Sequence, residues 1–97
     1  MKKNNAVVIN AKDNVAVALT ALHAGEEAVV AIDQHIITVP LRQDVPFGHK
    51  FAISDISLHG EVYKYGESIG RSTAPITRGD YVHVHNVESE RGRGDWQ

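Results

Sequence analysis

The sequence predicts an all-β domain of short strands with at most short helical turns. Three observations carry that reading. Apolar residues almost nowhere recur at helical spacing, short runs rich in β-branched and aromatic residues recur along the whole chain, and turn-forming residues bound those runs.

Taken in order, the runs are residues 6–9, 15–19, 28–32, 36–39, 51–53, 62–65 and 81–87. Between the second and third, Leu19-Thr20-Ala21-Leu22 has the composition for one helical turn, which Gly25 would end promptly. A local pattern repeats along the chain, an apolar residue followed three positions on by Gly and three further on by another apolar residue. It occurs as Leu22-His23-Ala24-Gly25-Glu26-Glu27-Ala28, as Val45-Pro46-Phe47-Gly48-His49-Lys50-Phe51 and as Ile76-Thr77-Arg78-Gly79-Asp80-Tyr81-Val82. Each Gly stands where a tight turn requires positive φ, so three similar turns are expected to feed three strands. Leu58-His59-Gly60-Glu61-Val62 is a shortened relative, and Lys64-Tyr65-Gly66-Glu67 adds a further turn. In the last run, residue alternation predicts His83 and His85 on one side of a strand, with Val82 and Val84 in the core on the other.

The chain has 97 residues, enough for one domain with a single modest core. With 42% hydrophobic and 23% charged residues it is an ordinary globular composition, and with no cysteine it has neither disulfides nor thiolate metal ligands. No apolar stretch approaches the roughly 18 residues that cross a bilayer, which points away from membranes and export and toward the cytoplasm. A formal charge of -2 gives no general attraction to nucleic acid, the only local basic patch being Arg91-Gly92-Arg93-Gly94. Residues 1–87 are read as the domain and 88–97 as a polar tail, in which Trp96 is either a partner anchor or part of an untethered terminus.

Six histidines stand out. The His83-Val84-His85 pair is half of a possible zinc or iron site, for which His49, His59 or Asp55 would have to complete the set through folding; the reading favoured over it is a solvated or hydrogen-bonded face. Asn86 is placed to cap a strand end or to bond a sugar hydroxyl. Lys50, beside His49, and Lys64, between Tyr63 and Tyr65, are cations able to meet a carboxylate, or plain surface lysines. No phosphate loop, nucleophile elbow or H-E-x-x-H helix is present, so the chain carries no independent enzyme signature.

Three segments in order, Val45-Pro46-Phe47-Gly48-His49-Lys50-Phe51-Ala52, Lys64-Tyr65-Gly66-Glu67-Ser68-Ile69-Gly70 and Tyr81-Val82-His83-Val84-His85-Asn86-Val87, resemble the SAF domain of the UxaA family. That family contains altronate and galactarate dehydratases and sulfolactate sulfo-lyases. The resemblance implies a β-clip fold, as in antifreeze-like domains, and a module that accompanies a much larger catalytic part, either in one polypeptide or as a separate small subunit; the ending of this chain is similar to that of stand-alone subunits. It implies the loss of water, or of sulfite, across C2 and C3 of a hydroxy acid to give a 2-keto acid. Such a reaction needs a base for the proton α to the carboxylate and a Lewis acid for the leaving hydroxyl. Ferrous iron or another divalent metal is expected in the assembled enzyme and no cofactor in this chain alone. Catalysis is expected from the large partner, with His49, Lys50, Lys64, His83, His85 and Asn86 on the face toward the sugar-acid substrate or the large subunit. A homo-oligomer is compatible with this reading. The competing readings are a sulfolactate sulfo-lyase small subunit, a carbohydrate-binding SAF module without an enzyme partner, and a self-contained metal enzyme.

Overall fold

The computed structural model describes residues 4–32 and 34–89. Among them every regular element is a strand: β1 (Ala6–Val7), β2 (Val15–Ala18), β3 (Glu27–Ile32), β4 (His35–Pro40), β5 (Lys50–Ala52), β6 (Glu61–Lys64), β7 (Glu67–Ser72), β8 (Tyr81–Val82) and β9 (Val87–Glu88). They form a six-stranded sheet of order β4-β3-β1-β2-β5-β8 and a three-stranded sheet β6-β7-β9. All pairings are antiparallel except that of β1 with β3.

Alternation along the shared strands feeds two cores. Ala16, Ala18 and Phe51 join Ala28, Val30, Val39 and Val45 in the first. Their neighbours Val15 and Ala52 turn the other way, to join Ile56, Val62, Ile76 and Val82 in the second. Alanines at the centre of β2 let the layers approach closely where larger side chains would hold them apart.

The repeated turn pattern is the organising device of the fold. Gly25, Gly48 and Gly79 have φ of 90°, 82° and 96°, as the spacing predicts. Each turn belongs to a unit made of a residue at or just past a strand end, an apolar bridge residue four positions on, and a left-handed residue three further: Ala18, Leu22, Gly25; Leu41, Val45, Gly48; Ala52, Ile56, His59; Ser72, Ile76, Gly79. The first unit pairs with the second and the third with the fourth, reciprocally. Leu22 and Val45 exchange backbone hydrogen bonds at 2.9 Å, Gly25 N–H donates to Leu41 O and Gly48 N–H to Ala18 O. Likewise Ile56 and Ile76 exchange bonds at 2.8 Å, His59 N–H donates to Ser72 O and Gly79 N–H to Ala52 O. The shortened relative is therefore a full unit. Its bridge residue is Ile56, and His59 (φ 66°), rather than Gly60, occupies the left-handed position.

Two expectations are corrected, and one strand lies outside the expected runs. The stretch 19–22 makes no helical turn, because Leu22 spends both backbone groups on Val45. β7, which carries little apolar signal, forms because the left-handed pair Tyr65 (φ 59°) and Gly66 (φ 78°) reverses the chain tightly after β6, the turn geometry that matches strand twist. The second correction concerns the run 81–87, which is two short strands separated by a turn. Asn86 closes that turn: its Oδ1 accepts the His83 N–H at 3.0 Å, its Nδ2 donates to Tyr81 O at 2.8 Å, and the Asn86 and Val87 N–H groups both donate to His83 O. Val82 is buried as expected, but Val84 sits at the turn tip, 79% exposed, and is not a core residue.

Candidate functional site

The β5–β8 ladder pairs Phe51 with Tyr81 and Lys50 with Val82. Continued one step, that register sets His49 across from His83. Phe51 is buried in the first core and Tyr81 packs against it, so the Tyr81 ring is rooted in the interior while its hydroxyl reaches the rim. There the hydroxyl lies 2.7 Å from His49 Nδ1. The His83 ring stacks on Tyr81 at 5.5 Å with 7° between planes, and the His85 ring leans on it at 5.4 Å. His49 and His83 are 5.1 Å apart, centroid to centroid. Three histidines thus share one tyrosine.

The Lys50 charge acts on His83, and the Lys64 charge acts in turn on Lys50. Lys50 is half-buried, and its pKa lies below the ordinary 10.5, first because burial strips water from the ammonium and second because of the Lys64 charge. His83, though exposed, has a pKa below the ordinary 6.5: desolvation beside the packed rings comes first, then the charges of His49, Lys50 and His85. Like-charged and cationic groups dominate this face, which disfavours adding protons and favours receiving an anion. Lys64 also lies over the Tyr65 ring, its Nζ 4.7 Å from the centroid.

Of the residues singled out in the sequence, His49, Lys50, His83 and His85 are gathered here, and Lys64 is near enough to Lys50 for its charge to act on that ammonium. Asn86 is buried beneath them, its side chain engaged in the turn that presents His83 and His85. Trp96 lies outside the described residues. Among the described residues no three His, Asp or Glu converge as metal ligands. Sequence reasoning passed over two residues. Tyr81 was legible in the spacing Tyr81-x-His83-x-His85, which places a third ring on the histidine side. Asp13 had no sequence signal. Only 6% exposed, it accepts the N–H groups of Asn10, Tyr65 and Gly66, and with Asn14, which bonds Glu61 and Tyr63, it clamps the β6–β7 hairpin that carries Lys64.

Fold and site together define a β-clip domain with a histidine-lined, cationic face. The family model described as the altronate/galactarate dehydratase SAF domain matches residues 4–90. The chain belongs to that family. It is 49% identical over 83 residues to altronate dehydratase of Escherichia coli (strain K12), a match covering 86% of this chain and 16% of the relative. It is 30% identical to altronate dehydratase of Bacillus subtilis (strain 168), over the same shares of each chain. It is also 35% identical over 88 residues to the (2R)-sulfolactate sulfo-lyase subunit alpha of Chromohalobacter salexigens, covering 88% of this chain and 94% of that subunit. The chain therefore spans about one sixth of the altronate dehydratases it matches and nearly all of the sulfo-lyase subunit.

Proposed function

We propose that this chain is the small, non-catalytic subunit or N-terminal domain of a sugar-acid dehydratase of the altronate/galactarate type, working in the cytoplasm with a large catalytic partner. The observation that carries the reading is the cationic face itself: three imidazoles, two lysines and a phenol, with Lys50 and His83 both held toward their neutral forms by their surroundings. A substrate carboxylate relieves that mutual repulsion, so the face binds and orients the acid end of the substrate. Phe47, two residues before His49, and Val84, between His83 and His85, are exposed apolar residues beside the cluster and suit coverage by the large partner. The base that takes the α-proton and the divalent metal, ferrous iron by family resemblance, belong to that partner in this reading. The reaction is loss of water across C2 and C3, leaving an enol that tautomerises to the 2-keto acid.

A second reading, a (2R)-sulfolactate sulfo-lyase small subunit, is favoured by the 94% coverage of that subunit. A sulfonate is as good an anion for this face as a carboxylate. Assay of the purified chain alone, and of the chain reconstituted with its large partner, on altronate, galactarate and sulfolactate tests both. The isolated chain is expected to be inactive and the pair active on one of the three. Turnover by the isolated chain at a rate comparable to that of the pair overturns the proposal.

A further inference from the structure

Tyr81 touches every histidine of the face, and its own position is over-determined. Its N–H donates to Gln43 Oε1 at 2.8 Å, its carbonyl accepts from Asn86 Nδ2 at 2.8 Å, and its strand pairs with β5 at Phe51. A side chain so fixed at its base can fix another. The hydroxyl is 2.7 Å from His49 Nδ1, and among the described residues His49 Nε2 has no hydrogen-bond partner. A phenol can donate to a bare Nδ1 or accept from Nδ1–H; with the Tyr81 hydroxyl as donor, Nδ1 is the acceptor. The ring proton is then confined to Nε2. When His49 takes up a second proton, the phenol oxygen accepts from Nδ1–H instead, and the contact survives with its direction reversed. In either charge state Nε2–H is the donor left for an outside group.

We propose that Tyr81 is the positioning residue of this face, holding His49 in the tautomer and orientation that offer Nε2–H to an anionic oxygen of the substrate. The proposal rests on the reading of the face as the substrate's anion site. Fixing the donor beforehand means that less rotamer and tautomer freedom is lost on binding. Stacking of His83 on the same ring sets the second imidazole by the same support.

Nitrogen-15 NMR of the isolated 97-residue chain tests the positioning directly. At a pH where His49 is neutral, the unmodified chain is expected to show a single His49 tautomer with the proton on Nε2, and a Tyr81 hydroxyl proton protected from exchange. Tyr81→Phe keeps the ring and removes only the hydroxyl; His49 is then expected to relax to the tautomer mixture of a free imidazole. In the reconstituted enzyme, Tyr81→Phe is expected to raise KM about 3- to 10-fold, the worth of one ordinary hydrogen bond, with kcat little changed. His49→Ala should raise KM at least as much. A tautomer mixture in the unmodified chain, or a His49 that keeps one tautomer in Tyr81→Phe, overturns the proposal. An unchanged KM for Tyr81→Phe when His49→Ala raises KM also overturns it, leaving the anion face intact. If His49→Ala and Lys50→Ala both leave KM unchanged, the reading of the face fails and the role of Tyr81 in binding falls with it.

Discussion

At the level of single residues, two valines two positions apart make the sharpest contrast. Val82 is fully buried in the second core, whereas Val84 is exposed at a turn tip. Val82→Asp is expected to unfold the domain, since an unpaired buried carboxylate costs several kcal/mol against a total stability of about 5–15. Val84→Asp should change stability by no more than about 0.5 kcal/mol, which thermal melts of the two variants will show. His83 offers a titration. Its folded pKa is lower than the unfolded value near 6.5, so between the two the unfolded chain binds more protons. The contribution of His83 is therefore fully present above pH 6.5 and is lost as the pH falls through the folded pKa. A bound carboxylate opposes the depression, because its charge offsets those of His49, Lys50 and His85. NMR titration is expected to show the His83 pKa rising when the substrate acid is added, with the affinity weakening as the pH climbs through that raised value; an unmoved pKa contradicts contact between His83 and the acid.

The strands and turns carry their own predictions. The β6–β7 hairpin hangs on one buried carboxylate, so Asp13→Ala leaves the Tyr65 and Gly66 N–H groups without partners and is expected to destabilise by about 2–3 kcal/mol in denaturant melts, loosening Lys64 with it. Turn glycines should not be equal. A Cβ at Gly48 meets nothing within 4 Å, while one at Gly79 runs into Pro40 O, so Gly79→Ala should be the more damaging of the two. Much of this level was legible in the sequence. The strands 15–19, 28–32, 36–39 and 62–65 appear within a residue or two of their apolar runs, and the Gly25, Gly48 and Gly79 turns follow from spacing alone. What escaped was set by partners distant in sequence. β7 depends on a left-handed turn rather than on apolar residues of its own, and the histidine run bends because the Asn86 amide competes for the backbone that a strand would use. The histidines still converge with Tyr81, because cross-strand pairing to His49 and Phe51, and not strand continuity, brings them together.

For the molecule as a whole, β2 and β5 are common to both cores: Ala16, Ala18 and Phe51 pack into one, Val15 and Ala52 into the other. Neither core can come apart without withdrawing the strands that wall the other. Calorimetry is expected to give one transition, with equal van't Hoff and calorimetric enthalpies, and two resolved transitions would contradict this coupling. The paired turn units reach further. The two residues that follow each left-handed position occupy one structural address, met four times in the chain as Glu26-Glu27, His49-Lys50, Gly60-Glu61 and Asp80-Tyr81. The backbone reads them as the same place; the chemistry they hold is two carboxylates, two bases, a lone carboxylate beside a glycine, or a carboxylate beside a phenol. The cationic face draws His49 and Lys50 from one such address and Tyr81 from another, brought side by side by the β5–β8 ladder. A repeated scaffold of this kind separates the grammar of folding from the vocabulary of recognition, so a lineage can rewrite what the domain recognises at one address while the other three keep the fold in place.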